Sequence, residues 1–160
     1  MEVKMGFSGT REGMTAIQKD VVENIIDWFR PQEFRHGDCI GSDVDAHSIA
    51  RKHEYIWIIG HPPIDPILRA YCDFDETRLP QEYKVRDKRI VIESNILVAT
   101  PKEMSEVLRS GTWTTIRYAR EAKIPVLIVK PTGSLIIRNL FGLDGVLREP
   151  MEALGLRTFE

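Results

Sequence analysis

The feature that most constrains the fold is a regular alternation of short apolar runs with segments of helical periodicity. The apolar runs have the length of strands and lie at residues 3–8, 34–37, 55–60, 96–99 and 124–129. The segments of helical periodicity lie at residues 14–30, 44–52, 81–94 and 113–122. Strands that alternate with helices form parallel βαβ units. The sequence therefore predicts a three-layer α/β domain with a mainly parallel sheet.

Local signals define the ends of some of these elements. Thr15 is a candidate N-cap for the first helix, Gln18 completes a capping box, and Pro31 ends the helix. The run at 55–60 is apolar throughout, which predicts a strand that is buried on both faces. In the helix at 81–94, the residues expected to face the core are Val85, Ile90 and Val91.

Two segments are less regular. Residues 64–80 show no period and are predicted to form a long loop that contains at most a short helical turn. Long loops in compact domains often carry function. Near the end of the chain, residues 135–137 are a candidate strand and residues 150–156 a candidate short helix.

Composition places the chain among ordinary globular proteins. Its 160 residues suit one domain, with an expected core at 3–131 and a C-terminal extension at 132–160. The net charge of −2 argues against a dedicated nucleic-acid-binding surface and leaves a local basic patch open. Cys39 and Cys72 are isolated thiols, typical of a reducing compartment, and no run approaches the ~20 apolar residues of a membrane helix. We therefore expect a cytoplasmic protein with no membrane partner.

Small polar turns follow the predicted strands at residues 8–11, 37–43, 60–63 and 110–115. Ligands of parallel α/β sheets bind beyond the carboxyl ends of the strands, so these turns are expected to share one pocket. The last turn also opens a helix, where free backbone N–H groups and the helix dipole attract anions. The alternative is that Ser110, Thr112 or Thr114 simply caps the helix.

Four motifs accompany these strand ends. They are Gly9-Thr10-Arg11, Gly37-Asp38-Cys39-Ile40-Gly41-Ser42-Asp43-Val44-Asp45-Ala46-His47, Arg86-Asp87-Lys88-Arg89-Ile90-Val91 and Ser110-Gly111-Thr112. In this order they resemble the SLOG superfamily, which groups DNA-processing protein A with the Lonely Guy phosphoribohydrolases. The first resembles the family's Gly-x-Arg turn, and the second the Gly-x-Ala-x-Gly-x-Asp…Ala-His segment of the DNA-processing branch. The third resembles Arg-Asn-Arg-x-Ile-Val, and the fourth occupies the place of the Lonely Guy phosphate loop, Gly-Gly-x-Gly-Thr.

The resemblance covers residues 3–131 and implies a Rossmann-like fold, a nucleotide-type ligand and a homodimer. Two positions depart from the Lonely Guy pattern. Thr115 stands where those enzymes carry a catalytic Glu, and the double glycine of the phosphate loop is reduced to Ser110-Gly111. These departures argue against the known hydrolytic activity, and no catalytic residue is assigned.

Twelve residues are predicted to bind the ligand. They are Gly9, Thr10, Arg11, Gly41, Ser42, Asp43, His61, Arg86, Gly111, Thr112, Trp113 and Thr114. The last four belong to the phosphate-binding turn, whose N–H groups and hydroxyls would hold phosphate. Arg11 and Arg86 would neutralise its charge, and the resemblance ranks Arg86 ahead of Arg89.

Several of these residues have an equally simple structural explanation. Ser42 and Asp43 either hold ribose hydroxyls or cap the next helix. Trp113 either stacks on a base or packs its helix, and His61 either meets the ligand or ends a buried strand. His47 is expected to be a structural histidine.

The sequence thus supports three hypotheses of different kinds. The first is a module that binds a nucleotide or a nucleotide-derived ligand. The second is a hydrolase of the N-glycosidic bond in nucleotides, and the third is an accessory protein in DNA processing. The four histidines and two cysteines show no metal-ligand spacing, so neither a metal nor a cofactor is expected.

Overall fold

The computed structural model describes residues 2–139, which form one seven-stranded sheet and four α-helices. The strands are β1 (Lys4–Gly9), β2 (Glu33–His36), β3 (Trp57–Gly60), β4 (Glu76–Thr77), β5 (Ile96–Thr100), β6 (Val126–Val129) and β7 (Leu135–Arg138). The helices are α1 (Ala16–Phe29), α2 (Ser42–Ala50), α3 (Tyr83–Ile92) and α4 (Gly111–Glu121), with a 3₁₀ turn at Pro66–Leu68.

The sheet is parallel except at one edge. Its strand order is β4-β3-β2-β1-β5-β6-β7, and only β7 runs antiparallel to its neighbour. From β1 the chain passes to β2 on one side, and it later returns to place β5 on the other side. The register there pairs Met5 with Ile96 and Gly9 with Thr100, so β1 and β5 end together. This reversal of strand order is where ligands bind in open α/β sheets.

Helices cover both faces, which gives the predicted three-layer architecture. The helices α1 and α2 pack together on one face, and α3 and α4 pack together on the other. Alternate residues of β5 enter the two cores: Ile96 and Val98 face α1 and α2, whereas Leu97 and Ala99 face α3 and α4. Each fully buried aliphatic side chain of this kind contributes about 1.5–3 kcal/mol. The prediction of a three-layer, Rossmann-like α/β fold is confirmed.

The helix ends follow the local signals in the sequence. Thr15 caps α1, and its side chain and that of Gln18 form the reciprocal bonds of a capping box. The helix closes at Phe29 with Arg30 in the left-handed conformation, one residue before Pro31. The hydroxyl of Ser110 accepts the N–H of Trp113 (3.3 Å), so Ser110 is the N-cap of α4.

Other details differ from the sequence prediction. Val85 is half exposed, because α3 turns Arg86 and Ile90 inward in its place. Trp57 is also half exposed, so β3 is buried on both faces only from Ile58 onwards. The long loop contains β4, whose two residues are too few to show a period.

The strand expected at 135–137 is confirmed as β7, so the sheet continues beyond the expected core limit at residue 131. The helix expected at 150–156 lies outside the described residues. Between residues 2 and 139, no helix is long and apolar enough to cross a membrane.

Candidate ligand-binding site

A cavity of about 730 Å³ opens at the point where β1 and β5 end. Its walls come from the turn after β1, the turn between β2 and α2, the inner side of α3, and the loop that leads from β5 into α4. The Thr10 N–H donates to the Thr100 carbonyl (3.1 Å), which holds the two strand ends together beneath the cavity. Cavities of this size accommodate small organic ligands.

The N-terminus of α4 faces this cavity with two unused donors. The Ser110 hydroxyl accepts a hydrogen bond from the Trp113 N–H, and the Ser110 carbonyl accepts one from the Thr114 N–H (2.9 Å). Within the described part of the chain, the N–H groups of Gly111 and Thr112 have no acceptor. Donors at a helix N-terminus point along the helix axis and favour an anion.

Gly111 differs from every other glycine between residues 2 and 139 in having open space at its Cα. A Cβ built on Gly111 would meet no atom within 4 Å, whereas a Cβ on Gly9, Gly37 or Gly41 would run into neighbouring atoms. The packing of the protein itself therefore does not require glycine at position 111. The free space lies on the cavity side, since Gly111 is one of the residues that line it.

Three cations at the cavity are unpaired. Across residues 2–139, no carboxylate lies within salt-bridge distance of Arg11, Lys84 or Arg109, and all three side chains are exposed. Lys102 is also at the cavity, but it pairs with Glu12 (3.1 Å). The cavity thus carries three cations without a carboxylate partner, alongside Glu103, which forms no ion pair among the described residues either.

The protein itself occupies most of the donors of Arg86, so its predicted contact with the ligand stays a prediction. Its Nε donates to Asp87 (2.6 Å), and its Nη1 donates to the carbonyls of Gly37 (2.7 Å) and His61 (3.3 Å). Those carbonyls follow β2 and β3, so the guanidinium ties α3 to the ends of both strands. A side chain at position 37 would overlap the guanidinium, which explains the glycine there.

Four acidic residues line the cavity, Glu12, Asp43, Asp87 and Glu103, and the pKa is raised for two of them. Burial raises the pKa of Asp43 to about 7, although Arg86 and the N–H of Cys39 act in the opposite direction. Burial likewise raises the pKa of Asp87, whereas Arg86 and the Thr115 hydroxyl lower it. Asp87 therefore lies close to Thr115, the position where the Lonely Guy pattern has a catalytic Glu.

Eight of the twelve predicted residues line this one cavity. They are Gly9, Thr10, Arg11, Asp43, Arg86, Gly111, Thr112 and Thr114. They come from three of the four predicted turns and from α3, whereas no residue of the turn at 60–63 lines the cavity. The structure carries no ligand, so a binding role for these residues stays a prediction.

Gly41 and Ser42 do not line the cavity, because they join the two turns to each other. Gly41 has φ 94°, and a side chain there would overlap the backbone of Arg11. The Ser42 hydroxyl and N–H both donate to the Thr10 carbonyl (2.7 and 3.0 Å).

The side chains of His61 and Trp113 also lie away from the cavity. The His61 ring contacts Arg35 (3.3 Å) and Glu93 (3.5 Å), and burial, with help from Arg35, lowers its pKa to about 3. Trp113 is 4% exposed and packs in the core between α4 and the sheet. The packing explanation therefore accounts for both residues better than ligand contact does.

A second polar cluster lies behind the turn after β2 and contains His36, His47 and Cys72, whose ligand-type atoms lie within 4.8 Å of one another. The Asp38 N–H donates to Nδ1 of His36 (3.0 Å), so the proton of that ring is on Nε2, which donates to Nδ1 of His47 (2.9 Å). A metal at Nε2 of His36 would have to displace this proton. The bonding favours the structural role expected for His47.

Sequence reasoning missed several residues that line the cavity, among them Cys39, Tyr83, Lys84, Asp87 and Arg109. Asp87 follows Arg86 directly within a motif already identified, and this adjacency was a usable signal. The other four lie in segments where the sequence pattern does not show which side chains face the sheet end.

No model of a known protein family matches the chain, and no curated protein matches its sequence. Solved structures do match. The molybdenum cofactor binding protein from the phototrophic bacterium Rippkaea orientalis superposes with a TM-score of 0.63 at 15% identity, over 99% of this chain and 88% of that one. The Moco carrier protein from Chlamydomonas reinhardtii gives a TM-score of 0.58 at 20% identity, over 80% and 76% of the two chains.

DNA processing protein A from Streptococcus pneumoniae gives a TM-score of 0.61 at 16% identity and covers 98% of this chain. The chain has a SLOG-type fold. It spans 57% of the length of the Streptococcus protein. At these identities the similarity concerns the SLOG-type fold alone, so the ligand has to be argued from the cavity.

Proposed function

We propose that this SLOG-type protein binds a nucleotide or a related phosphorylated small molecule, with the phosphate at the N-terminus of α4. The observation that carries the proposal is the open Cα of Gly111 next to two amide donors without acceptors. A phosphate oxygen needs close backbone approach and unused N–H groups, and glycine at this position provides both.

The charge around the cavity supports the same proposal. Arg11, Lys84 and Arg109 have no carboxylate partner among the described residues, so a phosphate would gain attraction without breaking an existing ion pair. Thr112 and Thr114 add hydroxyls on the same side. Arg86 then acts as a positioning residue, since its guanidinium is held by Asp87 and two carbonyls.

The size of the cavity and the comparisons are consistent with a small molecule. A volume of about 730 Å³ lies within the usual range for cofactor and nucleotide sites. Two of the similar structures are named for binding or carrying the molybdenum cofactor. A homodimer and a cytoplasmic location remain predictions.

Calorimetry with inorganic phosphate, AMP and GMP tests the proposal. We expect the nucleotides to bind the wild type, and Gly111→Asp to weaken binding at least tenfold because its carboxylate would repel phosphate. Ser48→Asp is the matched control, since it adds the same charge on an exposed part of α2 and should leave binding unchanged. If none of the three probes binds, or if both variants weaken binding equally, the proposal is wrong.

Hydrolysis of an N-glycosidic bond is the second candidate, favoured by Asp87 beside Thr115 and by Asp43 in the same cavity. In that reaction the C1′–N bond breaks and water adds to C1′. One carboxylate takes the proton from water, and the leaving base receives a proton. The same incubations, analysed for free base by chromatography, separate the two candidates: release that Asp87→Asn abolishes supports hydrolysis, and intact nucleotide supports binding alone.

A further inference from the structure

The side chain of Asp43 is a buried carboxylate that the protein uses only in part. It is 8% exposed and lies on the cavity wall. Its Oδ2 accepts the Cys39 N–H (3.1 Å), whereas no donor between residues 2 and 139 reaches Oδ1. No Lys or Arg in that range pairs with it, and the nearby His36 nitrogen (4.0 Å from Oδ2) already accepts the Asp38 N–H.

Asp43 lies in the first turn of α2, where the helix dipole favours a carboxylate, but a charge at this buried position is costly. The bond from Cys39 requires a single oxygen, and an asparagine could supply it without bringing a charge into the interior. Buried carboxylates without a cation are costly and are rarely kept unless a partner uses them. Asp43 lines the cavity, where a donor on a ligand would complete the bonding of its carboxylate.

Two further polar atoms without a partner belong to residues that line the same cavity, the Tyr83 hydroxyl and Oε1 of Glu103. The hydroxyl of Tyr83 is buried and has no hydrogen-bond partner. The cavity therefore offers a carboxylate acceptor and a hydroxyl donor to one bound ring. A ring with adjacent N–H, amino and carbonyl groups would satisfy both, whereas adenine would direct its N1 lone pair at a carboxylate.

We propose that Asp43 accepts hydrogen bonds from the N–H and amino groups of a fused 2-amino-4-oxopyrimidine ring. Guanine and pterins share this edge, so the ligand is a phosphorylated guanine or pterin. The inference rests on the proposed function, because it places the ring in the same cavity as the proposed phosphate site.

Calorimetry at pH 7.5 with GMP, IMP, XMP and AMP tests this inference, because the four probes share one ribose phosphate. GMP should bind the wild type at least tenfold more tightly than XMP or AMP, and IMP should fall between them because it lacks the amino group. Asp43→Asn should reverse the order of GMP and XMP, because its amide can donate to the 2-oxo group of xanthine. Asp45→Asn, the same change two residues later on α2 and outside the cavity, should keep the wild-type order.

The outcomes separate the inference from the proposed function. Equal affinity of the wild type for GMP, XMP and AMP overturns the inference and leaves phosphate binding intact, as does a GMP preference that persists in Asp43→Asn. Absence of binding by every nucleotide and by inorganic phosphate overturns the proposed function instead. A further titration with 6-hydroxymethylpterin phosphate distinguishes the two ring systems that carry this edge. Tighter binding than GMP indicates a pterin ligand, and weaker binding indicates a guanine ligand.

Discussion

Two turns of this protein look alike in sequence and differ in structure. Each places a glycine next to a hydroxyl residue at the start of a helix: Gly41-Ser42 at α2 and Ser110-Gly111 at α4. Gly41 is pressed against the backbone of Arg11, and Ser42 bonds across to the turn after β1. A Cβ on Gly111 would meet no atom within 4 Å. The first turn therefore joins two strand ends, and the second leaves a helix N-terminus open.

This difference shows that a glycine at a helix N-terminus can have either of two causes. One is close approach of the chain to itself, and the other is close approach of something that the chain binds. Substitution separates the causes, because only the first is needed for folding.

The largest expected effect is the contrast between Gly41→Ala and Gly111→Ala. Gly41 has φ 94° and ψ −126°, which a residue with a Cβ rarely adopts, and its Cβ would overlap the backbone of Arg11. Backbone strain and overlap together should lower the free energy of unfolding by about 3–5 kcal/mol. Gly111→Ala should leave it unchanged or raise it by up to about 1 kcal/mol, because alanine favours the helix.

Urea denaturation followed by circular dichroism measures both variants. Phosphate titration of Gly111→Ala then completes the contrast, since a methyl group there should weaken binding without weakening the fold. Equal stability of the two variants would remove the distinction between the turns.

The next effect concerns two arginines of α3. Arg86→Met removes the guanidinium that joins Asp87, Gly37 and the end of β3 while it keeps an unbranched apolar side chain. It leaves a buried carboxylate and two carbonyls without a donor, which should cost about 3 kcal/mol. Arg89→Met is the control, because Arg89 is half exposed and its pairing with Glu93 (3.9 Å) is long.

In thermal and urea unfolding, Arg86→Met should therefore be clearly less stable than Arg89→Met. If Arg86→Met unfolds like the wild type but no longer binds nucleotide, Arg86 contacts the ligand as the sequence motif first indicated. If both arginine variants are equally destabilised, the hydrogen bonds from Arg86 to Gly37 and His61 contribute less to stability than we infer.

The contrast between the two turns also shows which features of the molecule could be predicted from the sequence. The alternation of apolar runs with helical periodicity predicted the layers, the parallel strands and the sheet edge at which Gly9, Arg11 and Gly111 meet. These features depend on the order and length of whole segments, which single residues do not change. The capping box of Thr15 and Gln18 was equally visible. The residues that line the cavity from α3 were harder, since Val85 and Arg86 are neighbours and only packing decides which one faces inward.

The sequence could not show which of the candidate side chains are buried and which of their polar atoms lack a partner. Trp113 was a candidate for base stacking, yet its side chain lies in the core, because α4 has to cover β5 and β6 on that side. Asp43 was a candidate cap or ribose ligand, and its unused oxygen became visible only when the surrounding donors were placed. A sequence pattern shows that polar groups share an edge, but their completed bonds depend on three-dimensional distances.

The smallest expected effect is a gain in stability from Asp43→Asn that depends on pH. The pKa of Asp43 is raised to about 7 from its ordinary 3.8, chiefly by burial. The folded protein therefore holds a proton here that the unfolded chain has lost, and stability decreases as pH rises from about 4 to about 7. Among the charges facing Asp43, Arg86 lowers its pKa, whereas Asp87 and Asp38 raise it.

Asparagine carries no charge at any pH, so the variant should escape this loss. We expect Asp43→Asn to be about 1–2 kcal/mol more stable than the wild type at pH 8 and close to it at pH 4.5. That gain corresponds to a melting temperature higher by about 3–6 °C at pH 8. Bound ligand should reduce the stability difference between Asp43→Asn and the wild type at pH 8. A ring that donates to the carboxylate stabilises the ionised form, which only the wild type has. A gain that is the same at both pH values would mean that Asp43 is already ionised at pH 4.5, and that its carboxylate is satisfied without a ligand.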